Sequence, residues 1–379
     1  MLPSVFVRLS LLGVATLSCT PANGTSTDPQ GEGSNEAASP APSTAVEIGV
    51  PAPSGQPDLP LPKGAVARLG SALIPLSDTL VAIDVAADGT IFTHGFYGSI
   101  FAWDPKTGFP IRQLSGREEK DGYKPGGGAM QVSADGTRLY LVEDGRLRAR
   151  DAITGTVLWT VSRPDDDQWN ELGLTANGKT LLATGLLYGG AWIVDAGSGS
   201  ESPAPGDTGR AGSISGGSPG ARGTISADGQ RFVVAGKNVV QVIDRGGALL
   251  VSLELPWGTP TSSAFSPDGK YIAVGKYSGE WRIADMAKKA WIYTSTEAEA
   301  ERDDRGSIVG LKWSPDSRNL AVTSESLTRV VSASGKLLHE IPHPHHSFQF
   351  GQSVAWSADG KMLYLAGEPT EPLRVELAT

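Results

Sequence analysis

A short hairpin motif recurs along most of this chain, and no other feature restricts the possible folds as strongly. The seven copies read VAADGTIFT, VSADGTRLYL, LTANGKTLLA, ISADGQRFVV, FSPDGKYIAV, WSPDSRNLAV and WSADGKMLYL. In six of them an Asp-Gly or Asn-Gly pair supplies the positive φ of a tight turn between two runs of β-forming residues. Ser317 replaces the Gly in the sixth copy, which predicts that this turn is strained or differently shaped. The motif predicts seven β-hairpins, and 48 Gly and 26 Pro among 379 residues argue against a helical bundle.

The spacing of the copies predicts how the hairpins assemble. Their turn Asp or Asn residues are 47, 42, 51, 40, 48 and 43 residues apart. After a typical hairpin comes an alternating strand with a polar turn, such as GSIFAWDPKTG, and then a fourth apolar segment, such as PIRQL. Four strands in forty-odd residues make one propeller blade, and stacking blades radially buries both faces of each. We therefore predict an all-β fold over residues 64–379, a seven-bladed β-propeller of four-stranded antiparallel blades.

The two ends of this region predict how the ring closes. The seventh copy supplies only three strands, QSVAWSA, KMLYLAG and PLRVELAT. The segment AVARLGSALI, residues 65–74, precedes the first hairpin and can supply the fourth. An N-terminal strand in the last blade would remove an open sheet edge.

The motifs also carry a family resemblance. SPDGK followed by LAV, and WDPKTG with its Trp103–Asp104 pair, are similar to WD40 repeats and YVTN-like propellers over residues 64–379. The chain departs from WD40 repeats because most blades lack the preceding Gly-His pair, and His345 or His346 alone falls near that position. The resemblance implies a WD40-like propeller whose blade-tying tetrad is incomplete.

The N-terminus predicts export. Residues 1–19 contain the apolar run Leu9 to Leu17, which is too short to span a bilayer and is followed by the single Cys. This arrangement resembles a bacterial lipoprotein signal, in which Cys19 would be lipidated; an ordinary secretory signal cleaved after Ala22 is the alternative. Residues 20–62 are rich in Pro, Ser and Gly and predict a disordered tether. We expect a membrane-anchored lipoprotein facing the periplasm or cell surface, or otherwise a secreted or periplasmic protein.

Composition limits the partners. A net charge of −9 with 19% charged residues offers no basic footprint for nucleic acid. We expect a protein or cell-envelope partner, contact with the membrane only through the lipid anchor, a monomer, and no cofactor. No GxSxG nucleophile elbow with a nearby His and acid is present, so we expect no enzyme.

The connections between blades vary in length, whereas the hairpin turns are short and alike. The longest connection is the 29-residue stretch 196–224. Variable loops on a rigid scaffold usually carry function. Tyr123, Trp169 and Trp257 lie in or beside such loops and are candidate partner-binding residues. Burial of their rings against the blades is the alternative.

Histidines and acids in these loops raise the question of a metal. His343, His345 and His346 could bind a transition metal, with a carboxylate from residues 297–304 completing the site. The alternative is a loop stiffened by proline in which one His caps a blade. Asp165–Asp167 lack the spacing of a calcium loop and are more typical of a solvated charge run.

Three functions fit this pattern. We favour a non-catalytic binding or scaffold propeller, presented outside the cytoplasm on a flexible tether, that contacts its partner through the interblade loops. The alternatives are a propeller hydrolase or lactonase-like enzyme with a metal at the channel mouth, and a small-ligand or cofactor-binding propeller.

Overall fold

The computed structural model of the chain describes residues 46–47, 67–68, 79–116, 128–163, 169–185, 190–204, 222–236, 238–256, 260–296, 307–343, 353–366 and 373–377. In this part of the chain the regular secondary structure consists of β-strands alone. It contains no helix with the length and apolarity needed to cross a bilayer.

The strands group into seven antiparallel sheets, one for each predicted blade. Two short strands come first in the chain, β1 (Val46–Glu47) and β2 (Ala67–Arg68). Blade 1 contains β3 (Leu80–Val85), β4 (Ile91–Gly95), β5 (Ile100–Trp103) and β6 (Pro110–Ser115). Blade 2 contains β7 (Met130–Val132), β8 (Arg138–Glu143), β9 (Arg146–Asp151) and β10 (Val157–Val161). Blade 3 contains β11 (Trp169–Leu174), β12 (Thr180–Gly185), β13 (Ala191–Asp195) and β14 (Glu201–Pro203).

The remaining blades repeat the pattern. Blade 4 contains β15 (Arg222–Ile225), β16 (Arg231–Ala235), β17 (Val239–Asp244) and β18 (Leu249–Glu254). Blade 5 contains β19 (Pro260–Phe265), β20 (Tyr271–Lys276), β21 (Trp281–Asp285) and β22 (Ala290–Thr294). Blade 6 contains β23 (Gly310–Trp313), β24 (Asn319–Thr323), β25 (Leu327–Ser332) and β26 (Leu337–Pro342). Blade 7 contains β27 (Val354–Trp356), β28 (Met362–Leu365) and β29 (Leu373–Glu376).

The first strand of each blade forms the inner wall of a closed ring. Within each blade the strands pair in chain order. The first strand of each blade contacts the first strand of the next blade, and β27 contacts β3. The seven-bladed propeller predicted from the hairpin spacing is confirmed. Because neighbouring strands are antiparallel, the hairpin turns lie on one face of the ring and the interblade connections on the other.

The N-terminal strand closes the last blade as predicted. Strand β2 pairs antiparallel with β29, with Ala67 opposite Arg374 and Arg68 opposite Leu373. A second N-terminal contact was not predicted. Strand β1, inside the segment expected to be a disordered tether, pairs antiparallel with β6 and adds a fifth strand to blade 1. The disordered tether over residues 20–62 stays a prediction, within which Val46–Glu47 pairs with the sheet.

The hairpin turns are built by the residues that the motif supplies. In blade 2 the Ser133 hydroxyl donates to the Asp135 carboxylate (2.6 Å), which also accepts the Thr137 N–H (3.1 Å). These hydrogen bonds lower the pKa of Asp135 to about 2, and the bond from Ser133 has the largest effect. The strain predicted at Ser317 is present, since this residue has a φ of 63°, in the left-handed region that favours glycine. Its hydroxyl accepts the Asp268 N–H at 3.0 Å, a contact that glycine would lose.

The hydrophobic core lies between neighbouring blades. One cluster, for example, joins Tyr140 and Leu147 of blade 2 to Trp169 and Leu181 of blade 3. Most strand tryptophans contribute to this core. Five are buried, Trp103, Trp192, Trp281, Trp313 and Trp356, and two are half-buried, Trp159 and Trp291. This packing fixes each blade against the next and holds the inner strands in register.

Candidate functional site

The inner strands surround a channel whose lining follows from the hairpin motif. A cavity of about 200 Å³ lies between the inner strands of blades 2 to 6. In each of these blades it is lined by the residue four positions before the turn Asp or Asn: Gln131, Gly173, Thr224, Ala264 and Lys312. Because strand side chains alternate in direction, this position forms a ring of polar or small residues while the adjacent positions pack between blades. Sequence reasoning missed this ring, although counting back from each turn identifies it.

An ion pair crosses the channel at this level. Lys312 Nζ of blade 6 lies 3.4 Å from Asp84 Oδ1 of blade 1, and Asp84 occupies the same ring position in its own blade. The second oxygen, Asp84 Oδ2, accepts the Val132 N–H of blade 2 at 2.9 Å. One carboxylate therefore connects three blades and satisfies an N–H group on the free inner edge of a strand.

A second charged pair lies two residues earlier along the inner strands. Glu171 of blade 3 accepts the Gly223 N–H of blade 4 (2.8 Å) and the Ser263 N–H of blade 5 (3.3 Å). Its side chain is buried, and burial raises the pKa of the carboxyl to about 7, although the neighbouring Arg222 guanidinium opposes the change. Glu171 therefore connects blades 3, 4 and 5 as Asp84 connects blades 1, 2 and 6.

Unpaired polar atoms concentrate around Glu171. The register of β11 against β12 shifts between Trp169 and Leu172, so that Asn170 and Glu171 together face Thr184. Both amide atoms of Asn170 and the Thr184 hydroxyl are buried without a hydrogen-bond partner, whereas the Ser263 hydroxyl interacts with the Glu171 carboxyl and opposes the rise of its pKa. Such groups in native proteins usually bind water or a ligand.

The structure corrects the expectation for Trp169. This residue is fully buried at the start of β11, where its Nε1 donates to Val161 O at 3.1 Å. Its ring meets Trp192 edge to face with centroids 5.6 Å apart, and the Arg163 guanidinium lies 5.0 Å from the ring centre. Trp169 cannot offer its ring to a partner in this conformation, because the ring fills the space between blades 2 and 3. The alternative interpretation, burial, holds for this residue.

His343 has a hydrogen-bonding contact within its own blade. It is 8% exposed at the end of β26, and its Nε2 lies 3.2 Å from Thr328 Oγ1. The Thr328 hydroxyl in turn donates to Thr323 Oγ1 at 3.1 Å. Within the described ranges no three His, Cys, Asp or Glu side chains are grouped so that they could hold a metal.

The other candidate residues lie outside the described residues and stay predictions. They are Cys19, Tyr123, Asp165–Asp167, Trp257, His345 and His346.

A second cavity lies on the hairpin-turn face and is less suited to a ligand. It measures about 400 Å³ and is lined by blades 2 and 3, including Asp135, Arg138 and Asp195. The two carboxylates are already engaged by their own turns: Asp135 by Ser133 and Thr137, and Asp195 by the N–H groups of Gly197 and Ser198. Arg138 donates to Ala196 O at 3.3 Å. Asp135, Asp195 and Arg138 therefore stabilise the hairpin turns.

The closed ring and its polar channel define the chain as a seven-bladed β-propeller protein. Its fold matches that of a WD40 propeller, the Myceliophteria thermophila Cps50 (Swd1) β-propeller domain, with a TM-score of 0.65. The match covers 83% of this chain and 99% of that domain at 14% sequence identity, so it concerns the fold alone. No protein-family model matches the sequence, and no curated protein matches it.

Proposed function

We propose that this chain is a non-catalytic binding scaffold, held outside the cytoplasm by a tether and a lipid anchor at Cys19. Its interblade loops would contact a protein or cell-envelope partner. The observation that carries the proposal is the contrast between the two faces of a rigid closed ring. The hairpin turns are short and alike, whereas the opposite face receives connections of very different length, the longest of which joins β14 to β15; residues 196–203 of the stretch expected to be one loop form a hairpin turn and strand β14 instead. A rigid scaffold that presents variable loops on one face is suited to recognition.

The proposal is tested by exchanging a segment on each face. One variant replaces residues 205–221 with a short Gly-Ser linker, and the matched control replaces the blade 5 turn Ala287–Lys289 on the opposite face. Both proteins and the wild type are crosslinked in the native envelope, and the captured partners are compared. We expect the loop variant to lose a specific crosslink that the wild type and the control keep, at an unchanged melting temperature. Equal crosslinking by all three would contradict a role for this loop.

Metal analysis separates the scaffold from the metal-dependent hydrolase or lactonase. A scaffold needs no metal, so purified protein should melt at the same temperature with and without a chelator. A stoichiometric metal whose removal lowers the melting temperature would favour the enzyme. Variants of His345 and His346 would then show whether that loop holds the metal.

A further inference from the structure

Strand β1 decides on which face the chain enters the ring. Its partner β6 is the outer strand of blade 1 and leads into the connection to blade 2. Strand β6 therefore runs from the hairpin-turn face to the face that receives the interblade connections, which we call the loop face. Val46 lies opposite Gln113 and Glu47 opposite Arg112, so β1 runs in the opposite direction. The chain before Val46 consequently approaches blade 1 from the loop face.

The second N-terminal strand runs the other way. Strand β2 is the outer strand of blade 7, with Ala67 opposite Arg374 and Arg68 opposite Leu373 of β29. Because β29 is the third strand of its blade, it runs towards the hairpin-turn face, and the antiparallel β2 returns to the loop face, where β3 begins. A chain without the β1 pairing would enter the ring at the start of β2, on the hairpin-turn face. The pairing of β1 therefore moves the entry point from one face to the other.

The entry point matters for a chain that is held near Cys19. As the flexible tether that the sequence predicts, residues 20–45 would have a root-mean-square length of roughly 30 Å. A six-residue blade strand such as β20 is about 20 Å long. Turning the hairpin-turn face to the membrane would use about 20 Å of the tether to pass the edge of the ring. The loop face is therefore the one that the tether holds nearer to the membrane.

The charge of the interblade connections indicates the kind of partner that suits such a surface. The connection after β22 contains five acidic residues and two arginines within residues 297–305, and the connection after β10 contains Asp165–Asp167 and one arginine. Residues 116–128 contain three acidic and three basic residues. Anionic lipid headgroups attract basic segments and repel acidic ones, whereas a basic protein surface complements acidic loops. The charge therefore favours a protein partner over the lipid surface.

We propose that the pairing of β1 with β6 turns the loop face towards the membrane that carries the anchor, and that the partner of this face is a protein of the same membrane with a basic surface. The partner rests on the proposed scaffold function, whereas the orientation requires only that the chain is attached at Cys19. Anchor and recognition loops then lie on the same side of the ring. Holding both proteins in one membrane raises their effective concentration for each other.

The orientation is tested with the full chain attached to phosphatidylcholine vesicles. Its single Cys is coupled to a maleimide lipid, which fixes the attachment at Cys19 whether or not cells lipidate it. A fluorescent amino acid replaces either Ser278, exposed in a loop-face turn of blade 5, or Ala287, exposed in a hairpin-face turn of the same blade. Energy transfer to an acceptor lipid reports the distance of each position from the membrane. We expect stronger transfer from position 278 than from position 287.

The double variant Val46→Pro/Glu47→Pro releases β1. Successive N–H groups of a strand point alternately towards and away from its neighbour, so one of these two faces β6 and is removed by proline. The variant should lose or reverse the difference in transfer, because its chain enters the ring at the hairpin-turn face. The matched control Ala37→Pro/Ala38→Pro adds the same two prolines upstream of β1 and should keep the difference. Equal or reversed transfer in the wild type, or the wild-type order in the variant that releases β1, overturns the proposed orientation.

Two further measurements test the partner. Replacing part of the phosphatidylcholine by phosphatidylglycerol should leave the transfer from position 278 unchanged; an increase would show that the loop face binds anionic lipid and would overturn the protein partner. In the native envelope, a photo-crosslinking amino acid at Ser278 should link to an integral membrane protein, and one at Ala287 should not.

This link should weaken at high salt, as attraction between charged surfaces requires, and it should be lost in Val46→Pro/Glu47→Pro. A link that survives either change contradicts the proposed partner. The absence of any link at position 278 would overturn the partner together with the scaffold function, whereas the vesicle measurement decides the orientation by itself. The two failures are therefore distinguishable.

Discussion

The buried carboxyl of Glu171 should make the stability of the propeller depend on pH in a defined direction. Its pKa is raised from an ordinary 4.5 to about 7 in the folded chain. A carboxyl with a higher pKa in the folded state binds more protons there than in the unfolded state, so lowering the pH favours folding. The gain begins as the pH falls through about 7 and is complete below 4.5.

The size of the effect follows from the two pKa values. Each tenfold change in proton affinity corresponds to about 1.4 kcal/mol. The step from about 7 to 4.5 therefore corresponds to about 3 kcal/mol in the free energy of unfolding between pH 8 and pH 4.5. Glu171→Gln removes the titrating group and keeps one oxygen to accept an N–H from Gly223 or Ser263.

Urea unfolding followed by tryptophan fluorescence at a series of pH values measures this effect. Below about pH 4.5 the Glu171 carboxyl is neutral and Glu171→Gln is nearly isosteric with it, whereas at pH 8 the wild type alone carries the cost of a buried charge and should lose stability relative to the variant. The informative quantity is therefore the difference between the two pH profiles, from which all other titrating groups cancel. The difference should change by about 3 kcal/mol across this pH range, whereas Glu376→Gln, an exposed control, should leave the profile unchanged. Parallel profiles for the wild type and Glu171→Gln would refute the reasoning.

Four further predictions concern stability and anchoring. Deleting residues 64–74 removes the strand that pairs with β29 and should lower the melting temperature severely; an unchanged value would contradict closure by this strand. Ser317→Ala keeps the left-handed backbone but loses the hydrogen bond to Asp268, so it should cost about 1 kcal/mol, while Ser317→Gly should be nearly neutral because relief of strain offsets the loss. Trp169→Ala should destabilise by about 3–5 kcal/mol in chemical denaturation, as expected for an emptied core site; an exposed ring would cost far less. Cys19→Ser should release the protein into the soluble fraction, and continued fractionation with membranes would argue against lipidation.

The fold was predictable because its signals are local. An Asp-Gly pair between β-forming runs specifies a hairpin within about ten residues, and copying that hairpin at blade-length spacing specifies a ring. Even the closing strand could be predicted, since a three-stranded last blade calls for a partner from the other end of the chain. The fifth strand of blade 1 was not predicted, because Val46–Glu47 carries no turn signal or alternation that distinguishes it from the surrounding Pro-rich segment.

The candidate site was less predictable because its residues depend on direction and register. Trp169 borders a loop, and from sequence its ring could point to solvent or between blades; the packing of Trp192 and Arg163 around it decides for burial. His343 was grouped with its two neighbouring histidines by spacing, and the fold decides that its Nε2 lies beside Thr328; a shared metal stays a prediction. Neither outcome follows from the residues alone.

The sequence by itself determined the number of blades, the hairpin turns and the strand that closes the ring, since each depends on turn chemistry or on a short alternating run. The tertiary structure alone decided which residues meet across the channel. Asp84 and Lys312 are separated by more than two hundred positions, and Glu171 reaches amides in two other blades. These contacts exist because closing the ring brings seven inner strands together around one axis. No local pattern encodes that proximity, and the chemistry of the channel arises only when the ring is closed.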